Sequence, residues 1–233
     1  MLRESFWCRA AWGVLAASVL ACVITWITDT NSESSLKRGD YPAFYSLAVL
    51  ANTNPSQLYD FEQQRQVQNT AWPSLKGEFL IASYPPYTAW LLQPLATLSP
   101  TQGKLVFTLL MFAALLGSLR ILRRLNPTLS DLPFPPEMLV LFWAPLATAT
   151  LGGQNTALSI LILSGIVLLL ASPEIKRGEF WAGILLGLWA FKPQYGLPML
   201  LATVLLGHRR VLWGALPILA LYYLEGFSLL GSD

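Results

Sequence analysis

Apolar residues fall in long blocks, at 10–28, 104–122, 137–151, 155–171, 179–191, 195–206 and 211–224, with a further proline-interrupted block at 79–98. A helix crossing hydrocarbon needs roughly 20 residues, so several blocks must tilt or borrow from their flanks. The basic positions are equally ordered. They gather at Arg3/Arg9, Arg120/Arg123/Arg124, Lys176/Arg177 and Arg209/Arg210, and cytoplasmic loops are the ones that collect Lys and Arg. If all eight blocks crossed, the N-terminus and the three later clusters would lie on opposite sides. If 79–98 stays at the surface, all four clusters face the cytoplasm. The second count predicts seven spans, an inside N-terminus and an outside C-terminus.

The block at 79–98 has its own reason not to cross. Pro85, Pro86 and Pro94 remove amide donors and interrupt a helix, while Tyr84, Tyr87 and Trp90 suit the headgroup layer. An amphipathic helix lying on the membrane accommodates it better than a span. The outer face then holds the loop 29–103, the Gly152-Gly153-Gln154-Asn155 turn, the Lys192-Pro193-Gln194 turn and the C-terminal tail. The expectation is an all-α polytopic membrane protein forming one module over 1–233. Its first span is 10–28, its outer loop 29–103, and its remaining spans lie within 104–224.

Composition agrees. The 233 residues are 54% hydrophobic and 12% charged, with a mean hydropathy of +0.50, where a soluble domain carries about 25% charge. A net charge of +2 argues against nucleic acid as a partner. Cys8 and Cys22 offer neither a disulfide framework nor a metal spacing. Val19-Leu20-Ala21-Cys22 has the outline of a lipoprotein cleavage site, but Leu20 fits it poorly and the apolar run continues to Ile27. The segment reads as an uncleaved signal anchor.

Polar chemistry is therefore sought on the outer side. Asp40 opens an apolar helical segment that places Phe44, Leu47, Ala48 and Ala51 on one face. An Asp just before a first-turn proline is a natural N-cap. It is also a carboxylate at the membrane surface, able to take a proton from an acceptor hydroxyl. Asp60 reads as a cap for the helix that follows it. Asp-x-Asp pairs, Ser-His-Asp sets, phosphate-cradling Gly loops and Cys/His clusters are missing from the sequence, and no metal is expected. Lys192 either snorkels to the interface or offers a point charge to a lipid phosphate. Gln154 and Asn155 form a plain hairpin turn or, as neutral amides, meet sugar hydroxyls. His208, in Gly207-His208-Arg209-Arg210, reads as a topogenic flank.

In order along the chain, Gly39-Asp40-Tyr41-x-x-Phe44-Tyr45, Leu58-Tyr59-Asp60, Tyr84-Pro85-Pro86, Pro94-Leu95-Ala96-x-Leu98, Gly153-Gln154-Asn155 and Lys192-Pro193-Gln194 resemble glycosyltransferase family 87 of the GT-C superfamily. That resemblance implies a seven-span module with two juxtamembrane helices in the first outer loop, the second at Tyr84-Pro85-Pro86. It implies a polyprenyl-phosphate sugar as donor, a mannose or a pentose, with no cofactor or metal. A glycolipid or glycan is the acceptor, and transfer proceeds with inversion in the plasma (inner) membrane, the site loop facing the outer or periplasmic side. It makes Asp40 the catalytic base. Tyr41, Tyr45, Tyr84, Gln154, Asn155, Lys192 and Gln194 become substrate-binding candidates, Lys192 toward the donor phosphate.

Family members carry further spans and a second outer loop beyond this module, whereas the sequence stops at Gly231-Ser232-Asp233. A truncated frame, a degenerate copy, or half of a split enzyme with a separately encoded C-terminal half is the corresponding expectation. Two other classes compete, a non-catalytic membrane subunit and a small transporter. Transport is disfavoured because intramembrane charges mark transport routes, and here the acids sit in the outer loop.

Overall fold

A computed structural model describes residues 39–131 and 149–230, with positions 9, 10, 12–14, 16, 17, 20 and 24. Among the described residues the fold is all-helical, with 80% of them in helix. The helices are α1 Tyr41–Thr53, α2 Phe61–Ala71, α3 Pro86–Leu92, α4 Pro100–Leu125, α5 Thr156–Ala171, α6 Gly178–Leu188, α7 Pro193–Leu205 and α8 Val211–Leu230. Short 3-10 turns at Pro55–Gln57, Pro73–Leu75, Gln93–Thr97, Pro127–Asp131 and Trp189–Phe191 join or extend them.

Two of these helices, α4 and α8, are long and apolar enough to cross a membrane, with hydropathies of 2.2 and 1.3 over their best windows. Thr156–Ala171 and Gly178–Phe191 are shorter apolar helices. The blocks at 10–28 and 137–151 lie largely outside the described residues, so the count of seven spans remains an expectation. Leu109, Leu205, Leu206, Trp213 and Tyr223 are all exposed, as hydrocarbon-facing side chains must be on helices that are apolar all round.

The chain divides into two compact units. The first comprises Met1–Gly39 and Leu105–Leu161. In it α4 buries Phe107, Met111, Ala114, Leu115, Ser118 and Leu119, a stripe at helical spacing, and Gly117 lets Leu161 come close. Gly39 packs backbone to backbone on the Gly152 carbonyl, where any Cβ would collide.

The second unit comprises Asp40–Lys104 and Ile162–Asp233. α6 and α8 run in parallel and pack directly on one another, α7 being the return segment that joins them in the chain. Gly183 lies against Val211, Gly214 against Phe180 and Ile184, and Gly187 against Ala215 and Ile218. Small residues four apart let two helix backbones meet, which is how helices pack where no water drives them together.

Two expectations are corrected in the loop 29–103. The segment 79–98 is not one surface helix. Residues 79–85 are without helix, and α3 begins only at Pro86, ending in a 3-10 turn after Leu92. Pro85 and Pro86 explain the late start, because residues before proline are driven to extended backbone. Among its described residues the loop also holds three α-helices, where the resemblance implied two and Asp60 alone pointed to the middle one.

The additional helix, α2, fixes the extended segment. Gln68 donates to the Leu80 carbonyl (2.8 Å) and accepts from the Leu80 amide (2.9 Å). Gln64 does the same for Ala82, at 3.3 and 3.0 Å. Asn69 accepts from the Gly77 amide and donates to the Glu78 carbonyl. Amides one helical turn apart thus read alternate backbone positions, as a neighbouring β-strand would.

Candidate active site

α1 stands at the centre of the loop. Its residues are buried on nearly all sides rather than on the one face expected. Leu47, Leu50 and Ala51 pack with Leu58, Ala82 and Ala89, and Leu229 and Leu230 of α8 close the cluster. Tyr41 is 0% exposed and Tyr45 8%. Both rings meet the Trp72 edge, at 6.2 and 5.4 Å between centroids, and the Tyr41 hydroxyl lies against Gly103. These two tyrosines, expected to touch substrate, are core residues here and brace the start of α1.

Asp40 precedes α1 but does not cap it. Its backbone is already helical (φ −85°, ψ −9°) and its side chain makes no cap hydrogen bond. An N-cap needs extended backbone to swing its oxygen back onto the first amides. Asp60 has that geometry (φ −72°, ψ 114°) and accepts from the amides of Glu62 and Gln63, as expected of it. Only the Asp40 carbonyl serves α1, accepting from Ala43 and Phe44. The carboxylate is left for other work.

Its counterpart is Lys192, in the turn between α6 and α7. Burial raises the Asp40 carboxyl above its usual range, and the positive charge of Lys192 partly opposes this. Burial lowers the Lys192 ammonium, and the Asp40 carboxylate partly restores it. Desolvation disfavours each charge while the partner favours it. The two groups sense each other without forming a direct ion pair.

The turn carrying Lys192 is held from three sides. Tyr87 on α3 donates to the Ala190 carbonyl at 2.6 Å, two residues before Lys192. The Tyr87 ring stacks on Tyr222 of α8 at 4.1 Å and 3°, and Tyr222 donates to the Leu188 carbonyl at 3.3 Å. Trp189 stacks with Tyr195, over whose ring the Lys192 ammonium sits, 6.0 Å from the centroid. Tyr87 and Tyr222 went unrecognised in the sequence. A tyrosine on each of two distant apolar segments was the only trace they left.

The remaining candidates are dispersed. Tyr84 is half-buried, its ring edge-on to Phe44 at 5.0 Å, and its carbonyl accepts from Tyr59. Gln194 is exposed. In the first unit, Gly153 takes a left-handed backbone (φ 73°) and the Gln154 amide donates to Ala149, so the Gly152–Asn155 segment is a tight turn. Asn155 is buried at 7% exposure and Gln154 is half-buried. Among the described residues no three His, Cys, Asp or Glu side chains cluster as metal ligands.

A family model for glycosyltransferase family 87 matches residues 82–233. This is more than half of the chain, which therefore belongs to glycosyltransferase family 87, a family of membrane glycosyltransferases. Tyr84, Gln154, Asn155, Lys192 and Gln194 fall within the matched residues, and Asp40, Tyr41 and Tyr45 precede them. No curated protein and no solved structure matches the chain.

Proposed function

We propose that the protein transfers a hexose, mannose before other sugars, from a polyprenyl-phosphate donor to a glycolipid or glycan acceptor, with Asp40 as catalytic base. The observation that carries this reading is the uncapped, half-buried Asp40 carboxylate within electrostatic reach of Lys192. A carboxyl raised by burial is a stronger base than a solvated one, provided it remains ionised at working pH. The Lys192 charge favours the ionised form, against the burial that disfavours it.

In the proposed reaction Asp40 accepts the proton of the acceptor hydroxyl as that oxygen attacks the anomeric carbon from the face opposite the phosphate. The bond from that carbon to the phosphate oxygen breaks, its electron pair leaves with the polyprenyl phosphate, and the configuration inverts. Lys192 stabilises the charge gathering on the departing phosphate, and Tyr87 and Tyr222 hold its turn in place. Tyr84 and Gln194 are proposed sugar partners, and no metal is needed because phosphate is already a good leaving group.

We place this site on the outer face of the plasma membrane, with the N-terminus inside. The support is the distribution of charge in the second unit. Arg177, His208 and Arg210 gather at the beginnings of α6 and α8, while Lys192 lies at the other end of α6 and α8 ends against α3. Basic residues belong inside.

Supplying membranes carrying the chain with polyprenyl-phosphate mannose, glucose or pentose tests the donor, and the anomeric configuration of the product tests the stereochemistry. Mannosyl transfer with inversion is expected. Transfer with retention would refute single displacement by an Asp40-activated hydroxyl.

A further inference from the structure

At the end of α6 and α8 remote from Lys192 lies a cavity of about 580 Å³ that the glycosyl-transfer reading does not use. Leu169 and Leu170 of α5, Phe180 of α6 and Trp213 of α8 supply its apolar wall, and Arg177, His208 and Arg210 its polar rim. Gly178 fixes the base of the cavity by packing directly on the Leu169 carbonyl.

The one acid in the lining, Glu179, is already engaged. It meets His208 Nδ1 at 3.5 Å and accepts from the Arg210 amide at 3.2 Å. That pair ties the connector before α8 onto α6 and leaves the guanidiniums of Arg177 and Arg210 without an acidic partner among the described residues. Both arginines are exposed, and Arg177 is carried on a left-handed backbone (φ 62°) that an L side chain rarely adopts.

Two uncompensated guanidiniums above a hydrocarbon wall fit an amphiphilic anion. Planar guanidinium forks pair with phosphate oxygens two at a time. The wall also continues outward onto Trp213, which is 74% exposed, so a ligand seated by its phosphate can lay its tails along α8. Basic pockets between spans bind lipid head groups in this manner. We propose that this cavity binds the phosphodiester head group of an anionic phospholipid, at a site separate from that of Asp40 and Lys192.

The test uses the full chain in phosphatidylcholine nanodiscs, with brominated phosphatidylglycerol titrated in. Tryptophan quenching is read in the parent protein and in Trp213→Phe. Native mass spectrometry counts the lipids retained. Quenching at Trp213 that saturates, with roughly tenfold preference for phosphatidylglycerol over phosphatidylcholine lost in Arg177→Gln or Arg210→Gln, is the expected result. Arg177→Lys and Arg210→Lys, which keep the charge, should retain part of the preference and report that the helices still fold. Displacement of the brominated lipid by inorganic phosphate at equal concentration would show a soluble-phosphate site and overturn the lipid assignment. Equal retention of both lipids, or retention unchanged in both glutamine variants, would overturn the site altogether.

Discussion

Asp40 and Lys192, 152 positions apart in the sequence, are half-buried opposite charges, each within electrostatic reach of the other and with no ion pair between them. Burial pushes the carboxyl up and the ammonium down, and each charge pulls the other back toward its ordinary value. Removing either partner therefore has a signed effect on the other.

The acid limb of the transfer rate should follow Asp40 and lie above the ordinary carboxylate range near 3.8. Lys192→Gln deletes the one charge that lowers Asp40, so the limb should move to higher pH. The rate on its plateau should also fall, by about 10²–10³, the usual cost of losing a positioned charge stabiliser. A pH–rate profile of the variant checks both. A limb that stays put or moves to lower pH would separate Lys192 from Asp40.

The same shift bears on stability. The folded-state value of Asp40 is raised above 3.8. Its contribution therefore favours folding below the unfolded value and is lost as pH rises through the folded one. At neutral pH the ionised carboxylate is a cost. Asp40→Asn should raise the melting temperature at pH 7, and the gain should shrink toward zero below about pH 4. Thermal denaturation at the two pH values reads this directly.

Tyr87→Phe keeps the stack on Tyr222 and deletes only the hydrogen bond to Ala190. It should cost about 1 kcal/mol of stability. It should also shift the acid limb in the same direction as Lys192→Gln, by less, because the lysine is displaced rather than removed. A Tyr87→Phe enzyme with an unchanged profile would show that the tyrosine pair supports the fold without positioning Lys192.

Gln68 and Gln64 each satisfy both backbone groups of one residue in the extended segment. Gln68→Met strands the Leu80 amide and carbonyl, and Gln64→Met those of Ala82, each at about 2–4 kcal/mol. Gln68→Glu should fail as well, since an ionised carboxylate accepts but cannot donate to the Leu80 carbonyl. Chemical denaturation in detergent measures the loss.

What the sequence made legible follows from how locally each feature is determined. The apolar blocks at 104–122, 155–171, 179–191, 195–206 and 211–224 became α4, α5, α6, α7 and α8 near their expected positions, because a run of apolar residues of that length has few alternatives to helix. Asp60 caps as expected, since capping depends on its neighbours. Asp40 carries the same side chain before a similar helix and does not cap. Its backbone is helical where a cap needs it extended, and the residues that follow, Tyr41 and Tyr45, pack on Trp72, a contact the local sequence does not reveal. The extended course of 79–85 was hidden for a related reason. The side chains that hold it belong to α2, whose glutamines look like ordinary surface residues until their partners are known. The pairing of Asp40 with Lys192 and the Tyr87–Tyr222 stack are tertiary too, and no spacing rule exposes them.

The central claim is that Asp40 is the base, and a transfer assay decides it. Membranes carrying the parent chain, Asp40→Asn or Asp40→Glu are given radiolabelled polyprenyl-phosphate mannose, and labelled acceptor is counted under matched expression. Asp40→Asn should lose about 10²–10⁴-fold in rate while remaining folded and at least as heat-stable as the parent, with Asp40→Glu retaining a measurable part. Transfer by Asp40→Asn at the parental rate would contradict the account.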